Sequence, residues 1–353
     1  MTKKERVLTA LKGGKPDMVP FMFNTVHRTI QERILKRPIN EPTVDGMNIT
    51  GWLGNLEETP FVEPNLTCCP ELARRLGLDA IEIQVLPPIF TETYVSDGNL
   101  SITHGLVSDA AAFAKAKAKM PDPDDEKLLR KVEELIRLYK EDFAMGARVR
   151  LGASPSLLSM GWDNFAYLTV DDPDTFHGVV QMYTDWGKRL FKNLCELDFD
   201  FFWCFDDIAF GKSLMFSPET FREFFLPHLK ESAHAIERPF IFHSDGYIVD
   251  VLDDIIGVLG ASGIHPIEKG SMDTAWLKKN YGEKLCLVGN INIDGALSRG
   301  TPEEVFAEVK ECIDILGDGG GYIISDSNSV PAYCKPENIE AAARAVEKYR
   351  RIY

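Results

Sequence analysis

Short apolar runs alternate with amphipathic segments from about residue 147 to the end of the chain. Such alternation is typical of a parallel β-sheet whose strands are connected by helices. Several helices have clear N-terminal signals, because a hydroxyl or carboxylate cap precedes a proline at Ser217, Thr301 and the Asp171-Asp172 pair. The apolar runs predict strands over residues 148–151, 201–205, 240–243, 263–267, 285–288 and 322–324.

The part of the chain before residue 147 has a different pattern. It predicts one strand over residues 80–86, a hairpin over 94–107 that turns at Asp97-Gly98, and a long helix over 124–144 with apolar residues at helical spacing. No linker or repeat interrupts the chain. We therefore predict a single domain, 1–353, in which residues 1–146 form an N-terminal helical and hairpin elaboration with the first strand, and residues 147–353 form the main run of βα units.

The strand count and the polar residues after the strands favour a (β/α)8 TIM barrel over a doubly wound open sheet. The functional side chains of a barrel gather at the C-terminal ends of its strands, whereas an open sheet concentrates them at one switch point. Here polar side chains follow several different predicted strands. They are Asp206, Asp207, His243, Asp245, Glu268, Asn290, Asn292, Asp326 and Asn328.

The stretch Phe240-Ile-Phe-His-Ser-Asp-Gly246 carries the strongest chemical signal. Alternation along a strand places His243 and Asp245 on the same face, so both can reach one proton, one metal ion or one substrate. The alternative is a strand-end histidine beside a turn aspartate. Asp206 and Asp207 repel each other if buried, which would raise a pKa, or they cap the next segment. Trp162 is a candidate for an aromatic pocket, with core packing as the alternative.

Charge and cysteine content limit the function classes. The formal net charge of -15 argues against a nucleic-acid partner, because phosphates require clustered Lys and Arg. The seven cysteines contain no CxxC pair and are odd in number, which fits reduced thiols in a cytoplasmic protein. We find neither a signal peptide nor a membrane-spanning run, so we expect a cytoplasmic location and no membrane partner.

Several motifs together carry a family resemblance over essentially the whole length. The chain resembles the uroporphyrinogen decarboxylase superfamily, which implies a (β/α)8 barrel and a cytoplasmic enzyme. The motifs are Glu5-Arg-Val-Leu-Thr-Ala-Leu, Lys15-Pro-Asp-Met-Val-Pro-Phe, Ser217-Pro-Glu-Thr-Phe-Arg-Glu, His243-Ser-Asp-Gly, Val288-Gly-Asn-Ile-Asn, Gly300-Thr-Pro-Glu-Glu-Val and Pro336-Glu-Asn-Ile.

The superfamily has two large branches. The decarboxylases carry an arginine-rich N-terminal segment that binds the carboxylates of a tetrapyrrole, but here the equivalent stretch, residues 20–28, contains only Arg28. One arginine cannot replace such a cluster. The chain resembles more closely the corrinoid-dependent methyltransferases, whose thiol-using members hold zinc with a His-x-Cys motif and a later cysteine. His243 matches the first position, whereas Asp245 and Asn328 stand where the two cysteines belong.

The missing sulfurs disfavour thiol methylation, because a sulfur-rich zinc site suits a thiolate. The resemblance then implies demethylation of a small methoxylated, aromatic compound, with transfer of the methyl group to cobalt(I) of a partner corrinoid protein. A homodimer is left open. Three alternatives remain: a decarboxylase of a small or tetrapyrrole acid, a methylcobalamin:thiol methyltransferase, and a binding barrel without activity.

The predicted roles follow from this interpretation. His243, Asp245 and Asp207 are the candidate catalytic residues, since a departing phenolate oxygen needs an acid or a Lewis-acidic metal. The same three residues are the candidate metal ligands, with zinc as the ion and Glu268 as an alternative ligand. The candidates for contact with substrate are Asn24, Trp162, Asp206, Glu268, Asn290 and Asn328.

Overall fold

The structure, a computed structural model, describes residues 1–44, 53–96 and 99–352. An eight-stranded sheet forms its centre, and a smaller three-stranded sheet lies beside it. The strands are β1 (Leu53–Gly54), β2 (Asn65–Leu66), β3 (Ala80–Gln84), β4 (Ile89–Ser96), β5 (Asn99–Gly105), β6 (Ala144–Val149), β7 (Phe201–Phe205), β8 (Phe240–His243), β9 (Gly263–His265), β10 (Cys286–Val288) and β11 (Tyr322–Ile323).

The helices lie between these strands and around the sheet. They are α1 (Lys3–Leu11), α2 (Arg28–Leu35), α3 (Pro70–Leu76), α4 (Ala110–Lys119), α5 (Glu126–Tyr139), α6 (Ala153–Met160), α7 (Trp162–Asp171), α8 (Pro173–Glu196), α9 (Pro218–Thr220), α10 (Leu226–Ala233), α11 (Leu252–Asp254), α12 (Thr274–Tyr281), α13 (Pro302–Leu316) and α14 (Pro336–Tyr349). Single 3₁₀ or π turns occupy Phe221–Phe225, Val249–Val251, Ile255–Leu259 and Ile293–Leu297.

The large sheet has the order β11-β10-β9-β8-β7-β6-β3-β2. All neighbouring pairs are parallel except β2 with β3, which is antiparallel. Parallel neighbours in chain order require a helical crossover between successive strands. The α/β class and a curled sheet consistent with a TIM-barrel-like fold are therefore confirmed.

The segment around Phe21 connects the two ends of the parallel run. Phe21 forms a parallel bridge with Ile324, directly after β11, and its carbonyl accepts a hydrogen bond of 2.7 Å from the amide of Asp79, directly before β3. The buried Asp79 carboxylate returns a contact, accepting from the Phe21 amide at 2.8 Å and from Arg6 at 2.5 Å. This segment escaped the sequence-based strand prediction because Pro20 interrupts its apolar run.

Most predicted strands are confirmed, two of them at every residue: 201–205 and 240–243. The prediction of a helix over 124–144 and a strand over 148–151 was wrong at the shared boundary. Helix α5 ends at Tyr139, and β6 already begins at Ala144. Every residue of β6 is buried, so its apolar start continued the helical pattern and gave no local stop signal. The hairpin is confirmed as β4 and β5, although its turn residues, Asp97 and Gly98, lie outside the described residues.

The predicted helix caps are confirmed. The Ser217 hydroxyl accepts from the amide of Thr220, Asp172 accepts from Thr175, and Thr301 forms a capping box with Glu304. Each contact satisfies an amide that the first helical turn leaves without a partner. Within the described residues, no helix is both long and apolar enough to cross a membrane.

A separate apolar cluster lies inside the curled sheet. Val7, Ala10 and Leu11 of helix α1 pack there with the first residues of β3, β6 and β7. Helix α1 therefore covers the N-terminal ends of the strands. The polar side chains of a functional site are therefore expected at the C-terminal ends of the strands, on the residues that follow the inward-facing positions.

Candidate active site

Three predicted residues meet at the C-terminal ends of β7 and β8. The parallel register pairs Phe205 with His243, so Asp207 and Asp245 each lie two residues beyond a paired position. His243 Nε2 is 3.7 Å from Asp207 Oδ1 and 3.6 Å from Asp245 Oδ1. One ligand atom from each residue lies within 4.8 Å of the others. The structure thus brings the three candidate metal ligands together.

A chain of hydrogen bonds determines which nitrogen of His243 faces the carboxylates. His265 Nε2 is 3.0 Å from the carbonyl oxygen of Asp326, which can only accept, so Nε2 carries the hydrogen. Burial lowers the pKa of His265 to about 3, which leaves its Nδ1 as an acceptor. That atom is 2.6 Å from His243 Nδ1, which must therefore donate. His243, whose pKa burial also lowers, is neutral and presents a bare Nε2.

The bare nitrogen faces two carboxylate oxygens, of which Asp207 Oδ1 accepts from the Asp245 amide at 3.1 Å and Asp245 Oδ1 has no donor among the described residues. His243 Nε2 and Asp245 Oδ1 are buried and have no hydrogen-bond partner among the described residues. Burial and the neighbouring Asp207 and Glu268 raise the pKa of Asp245 to about 8. A proton on Asp245 or a cation between the three atoms would remove this repulsion. One imidazole and two carboxylates suit zinc, so these residues fit a metal ion.

The second oxygen of Asp245 is held by a residue from the loop after β11. Asn328 Nδ2 donates to Asp245 Oδ2 at 2.5 Å. Glu268 lies on the other side, where its Oε2 accepts from the Gly246 amide at 3.2 Å and from the Ser271 hydroxyl at 2.9 Å. Asn328 and Glu268 therefore border the site, as predicted from their positions after strands. Their contact with substrate stays a prediction.

Gly246 makes this turn possible. Its φ is +82°, and a Cβ there would lie 2.2 Å from the carbonyl oxygen of Phe210. A side chain would therefore push apart the loops that carry Asp207 and Asp245.

Asp206 has a different role from its neighbour. Its buried carboxylate accepts hydrogen bonds from the amides of Leu151 at 2.5 Å, Gly152 at 3.1 Å and Ser154 at 2.7 Å. These bonds hold the turn between β6 and α6. The contacts favour a structural role for Asp206 over the predicted contact with substrate.

Three further candidates lie at different depths. Asn290 is buried, donates to the carbonyl of Ile267 at 2.7 Å and accepts from the Cys312 thiol, so its amide group is engaged by the protein itself. Asn24 is buried, and its Oδ1 has no partner among the described residues. Trp162 is 47% exposed, and its ring lies 6.0 Å from that of Phe210 at an angle of 40°, so it is not a core residue.

The cysteines do not contribute to the site. All seven are buried and free. Burial raises the pKa of every one of these thiols. Among the described residues, the cluster that could hold a metal ion consists of Asp207, His243 and Asp245, so sulfur is not among its candidate ligands.

The sequence analysis did not identify two buried arginines, or the Phe205 ring that contacts both of them and His243. Arg148, in β6, and Arg150, just after it, are 4% and 5% exposed. Their guanidinium carbons lie 4.5 Å and 5.1 Å from the centre of the Phe205 ring. The sequence did contain a signal for this pair. Two charged residues stand two positions apart at the end of an apolar strand, and such residues point to the same side.

Glu82 of β3 is also buried, and neither carboxylate oxygen has a partner among the described residues. Burial raises its pKa to about 8, from 4.5 in an exposed chain. The unfolded chain ionises above pH 4.5, whereas the folded chain resists ionisation until about pH 8, so stability is lost across this interval. This group should reduce the free energy of unfolding by about 3 kcal/mol between pH 5 and 8.

The Glu82→Gln variant should lack this part of the pH dependence. Urea unfolding at pH 5, 6.5 and 8 measures it, with the exposed Glu133→Gln on α5 as the matched control. Equal slopes against pH for the wild type and Glu82→Gln would contradict the prediction.

Comparison with known proteins agrees with the fold and with the family resemblance. Methylcobamide:CoM methyltransferase MtaA of Methanosarcina barkeri is 23% identical over 344 residues, covering 91% of this chain and 98% of that protein. The methylated-thiol–coenzyme M methyltransferase of Methanosarcina mazei is 26% identical over 193 residues, covering 53% of this chain and 48% of that protein. A uroporphyrinogen decarboxylase of Chlorobaculum parvum is 24% identical over 330 residues, covering 84% and 89%.

A solved structure titled as a methyltransferase from Methanosarcina mazei superposes with a TM-score of 0.70 at 18% identity, covering 99% of both chains. This likeness supports the fold. The family model described as uroporphyrinogen decarboxylase (URO-D) matches residues 94–349, which is most of the chain. The chain therefore belongs to the uroporphyrinogen decarboxylase family.

Proposed function

We propose that this protein is a methyltransferase that demethylates a small methoxylated aromatic compound and passes the methyl group to the cobalt of a partner corrinoid protein. The observation that carries the proposal is the convergence of the bare His243 Nε2 with oxygens of Asp207 and Asp245, without any sulfur. Methyltransferases among the relatives support the reaction class. The enzyme would act in the cytoplasm. Its fold would be a closed (β/α)8 barrel, with the segment around Phe21 as the eighth parallel strand.

The difficult part of this reaction is the departing oxygen. Transfer of the methyl group to cobalt breaks the carbon–oxygen bond and leaves the electron pair on oxygen. A proton from Asp245, whose pKa is raised to about 8, would neutralise that charge, and Asn328 holds the carboxyl group in place. Alternatively, with Asp245 ionised, His243, Asp207 and Asp245 would hold zinc in place of that proton. When bound, the ion supplies a Lewis acid that polarises the ether oxygen.

Decarboxylation of a small acid is the second candidate. Uroporphyrinogen decarboxylases are among the relatives, and two buried guanidinium groups lie next to the Phe205 ring. A decarboxylase would release carbon dioxide from its substrate without any corrinoid. The two reactions are therefore separable by their requirements.

Methyl transfer from a panel of methoxylated aromatic compounds to cobalt(I) corrinoid tests the proposal. The visible absorbance of the corrinoid changes on methylation, and we expect this change with at least one member of the panel. Controls omit the protein or replace the methoxy group with hydroxyl. The proposed reaction would be refuted if no compound of the panel methylated a competent corrinoid. Release of carbon dioxide without any corrinoid would also refute it.

A further inference from the structure

We propose that Arg148 and Arg150 form a subsite that binds a carboxylate group of the substrate. The inference deepens the proposed function. Only the assumption that the bound acid carries a methoxy group rests on that function. Binding of the anion itself follows from the two side chains and their surroundings.

Both guanidinium groups are placed against one aromatic ring. Residues two apart along an extended chain point to the same side, so Arg148 and Arg150 lie side by side over Phe205. The His243 imidazole stacks on the same ring, with centroids 3.9 Å apart and planes at 21°. The cations and the histidine of the site are therefore separated by little more than one aromatic ring. A small aromatic acid is long enough to contact both.

The hydrogen-bonding capacity of the two arginines is largely unused. Arg148 Nη1 donates to the carbonyl of Asn24 at 3.1 Å and to the Thr25 hydroxyl, and Arg150 Nη1 donates to the Ser154 hydroxyl. The Nε of each is buried without a partner among the described residues. A guanidinium group has five N–H donors arranged to grip a carboxylate with two parallel bonds.

The carboxylates of the protein act on these cations only from a distance. Neither arginine forms an ion pair with a carboxylate of the described residues. Asp206 is engaged by three backbone amides, and Asp207 accepts from the Asp245 amide beside His243. Burial raises the pKa of Glu82 to about 8 and of Asp326 to about 7, so neither is fully ionised near pH 7. A buried charge without a paired partner is unfavourable, and a substrate carboxylate would supply that partner.

Calorimetric binding of benzoate, compared with benzamide, tests the subsite without any methyl transfer. We expect benzoate to bind the wild-type protein at least about tenfold more tightly, because only the carboxylate forms charge-assisted bonds. Arg150→Met should remove this preference and leave benzamide binding unchanged. Arg150→Lys should retain part of it, since lysine keeps the charge but not the paired donors. The exposed Arg130→Met on α5 is the matched control.

The outcomes separate the two proposals. Equal affinities of the wild-type protein for benzoate and benzamide would overturn the subsite, and this comparison does not depend on any variant folding. A preference for benzoate that survives in folded Arg150→Met and Arg148→Met would overturn the assignment to these residues. Selective benzoate binding without methyl transfer from methoxybenzoates would instead refute the proposed reaction and leave the subsite intact. With an active enzyme, Arg150→Met should raise KM for a methoxybenzoate more than it lowers kcat.

Discussion

Replacing His243 with alanine should lower the rate of methyl transfer to corrinoid by roughly 10²- to 10⁴-fold, the usual range for loss of a group in acid–base catalysis. The variant loses the imidazole nitrogen that lies 3.7 Å from Asp207 and 3.6 Å from Asp245. It should also bind zinc much more weakly, because two carboxylates remain from a set of three ligands. Single-turnover methylation of cobalt(I) corrinoid and zinc titration measure the two effects.

The exposed His234→Ala is the matched control, because this histidine contacts the carbonyl of Val258 and none of the site residues. The control should keep both activity and zinc affinity. His243→Ala with wild-type methyl transfer would exclude the site as the reaction centre. Wild-type zinc affinity in the same variant would exclude the ligand set.

Replacing Asp206 with asparagine should lower the free energy of unfolding by about 2–4 kcal/mol, since hydrogen bonds to a buried charged group are strong and the new amide turns N–H donors towards backbone donors. The three amides that lose an acceptor belong to Leu151, Gly152 and Ser154. Denaturant unfolding followed by circular dichroism measures this loss. Methyl transfer by the folded fraction should change much less than stability.

Asp207→Asn is the matched variant, one residue along the chain. Asp207 accepts one backbone amide bond and is partly exposed, so its replacement should cost little stability but weaken zinc binding and methyl transfer. The reverse result, with Asp206→Asn stable and inactive, would restore Asp206 as a substrate contact. Similar behaviour of both variants would contradict the separation of roles.

The elements of the fold were predictable where their signals are local. Strands β7 and β8 are apolar runs bounded by polar residues, and the caps at Ser217 and Thr301 act on the next three residues. The start of β6 was not predictable, because a fully buried strand continues the apolar pattern of the preceding helix. The role of the Phe21 segment depends on partners at Ile324 and Asp79, which no local pattern reveals.

The sequence by itself determined that His243 and Asp245 share a face, because alternation along one strand requires it. Through the family resemblance, the sequence also predicted a site with Asp245 and Asn328 in place of cysteine. Only the tertiary structure decided between Asp206 and Asp207, since the two adjacent carboxylates point to opposite sides of the chain and meet different neighbours. The tautomer of His243 depends on His265 and the Asp326 carbonyl, and the arginine pair becomes a candidate site only against Phe205. These contacts join distant strands through the parallel register, which sequence spacing does not encode.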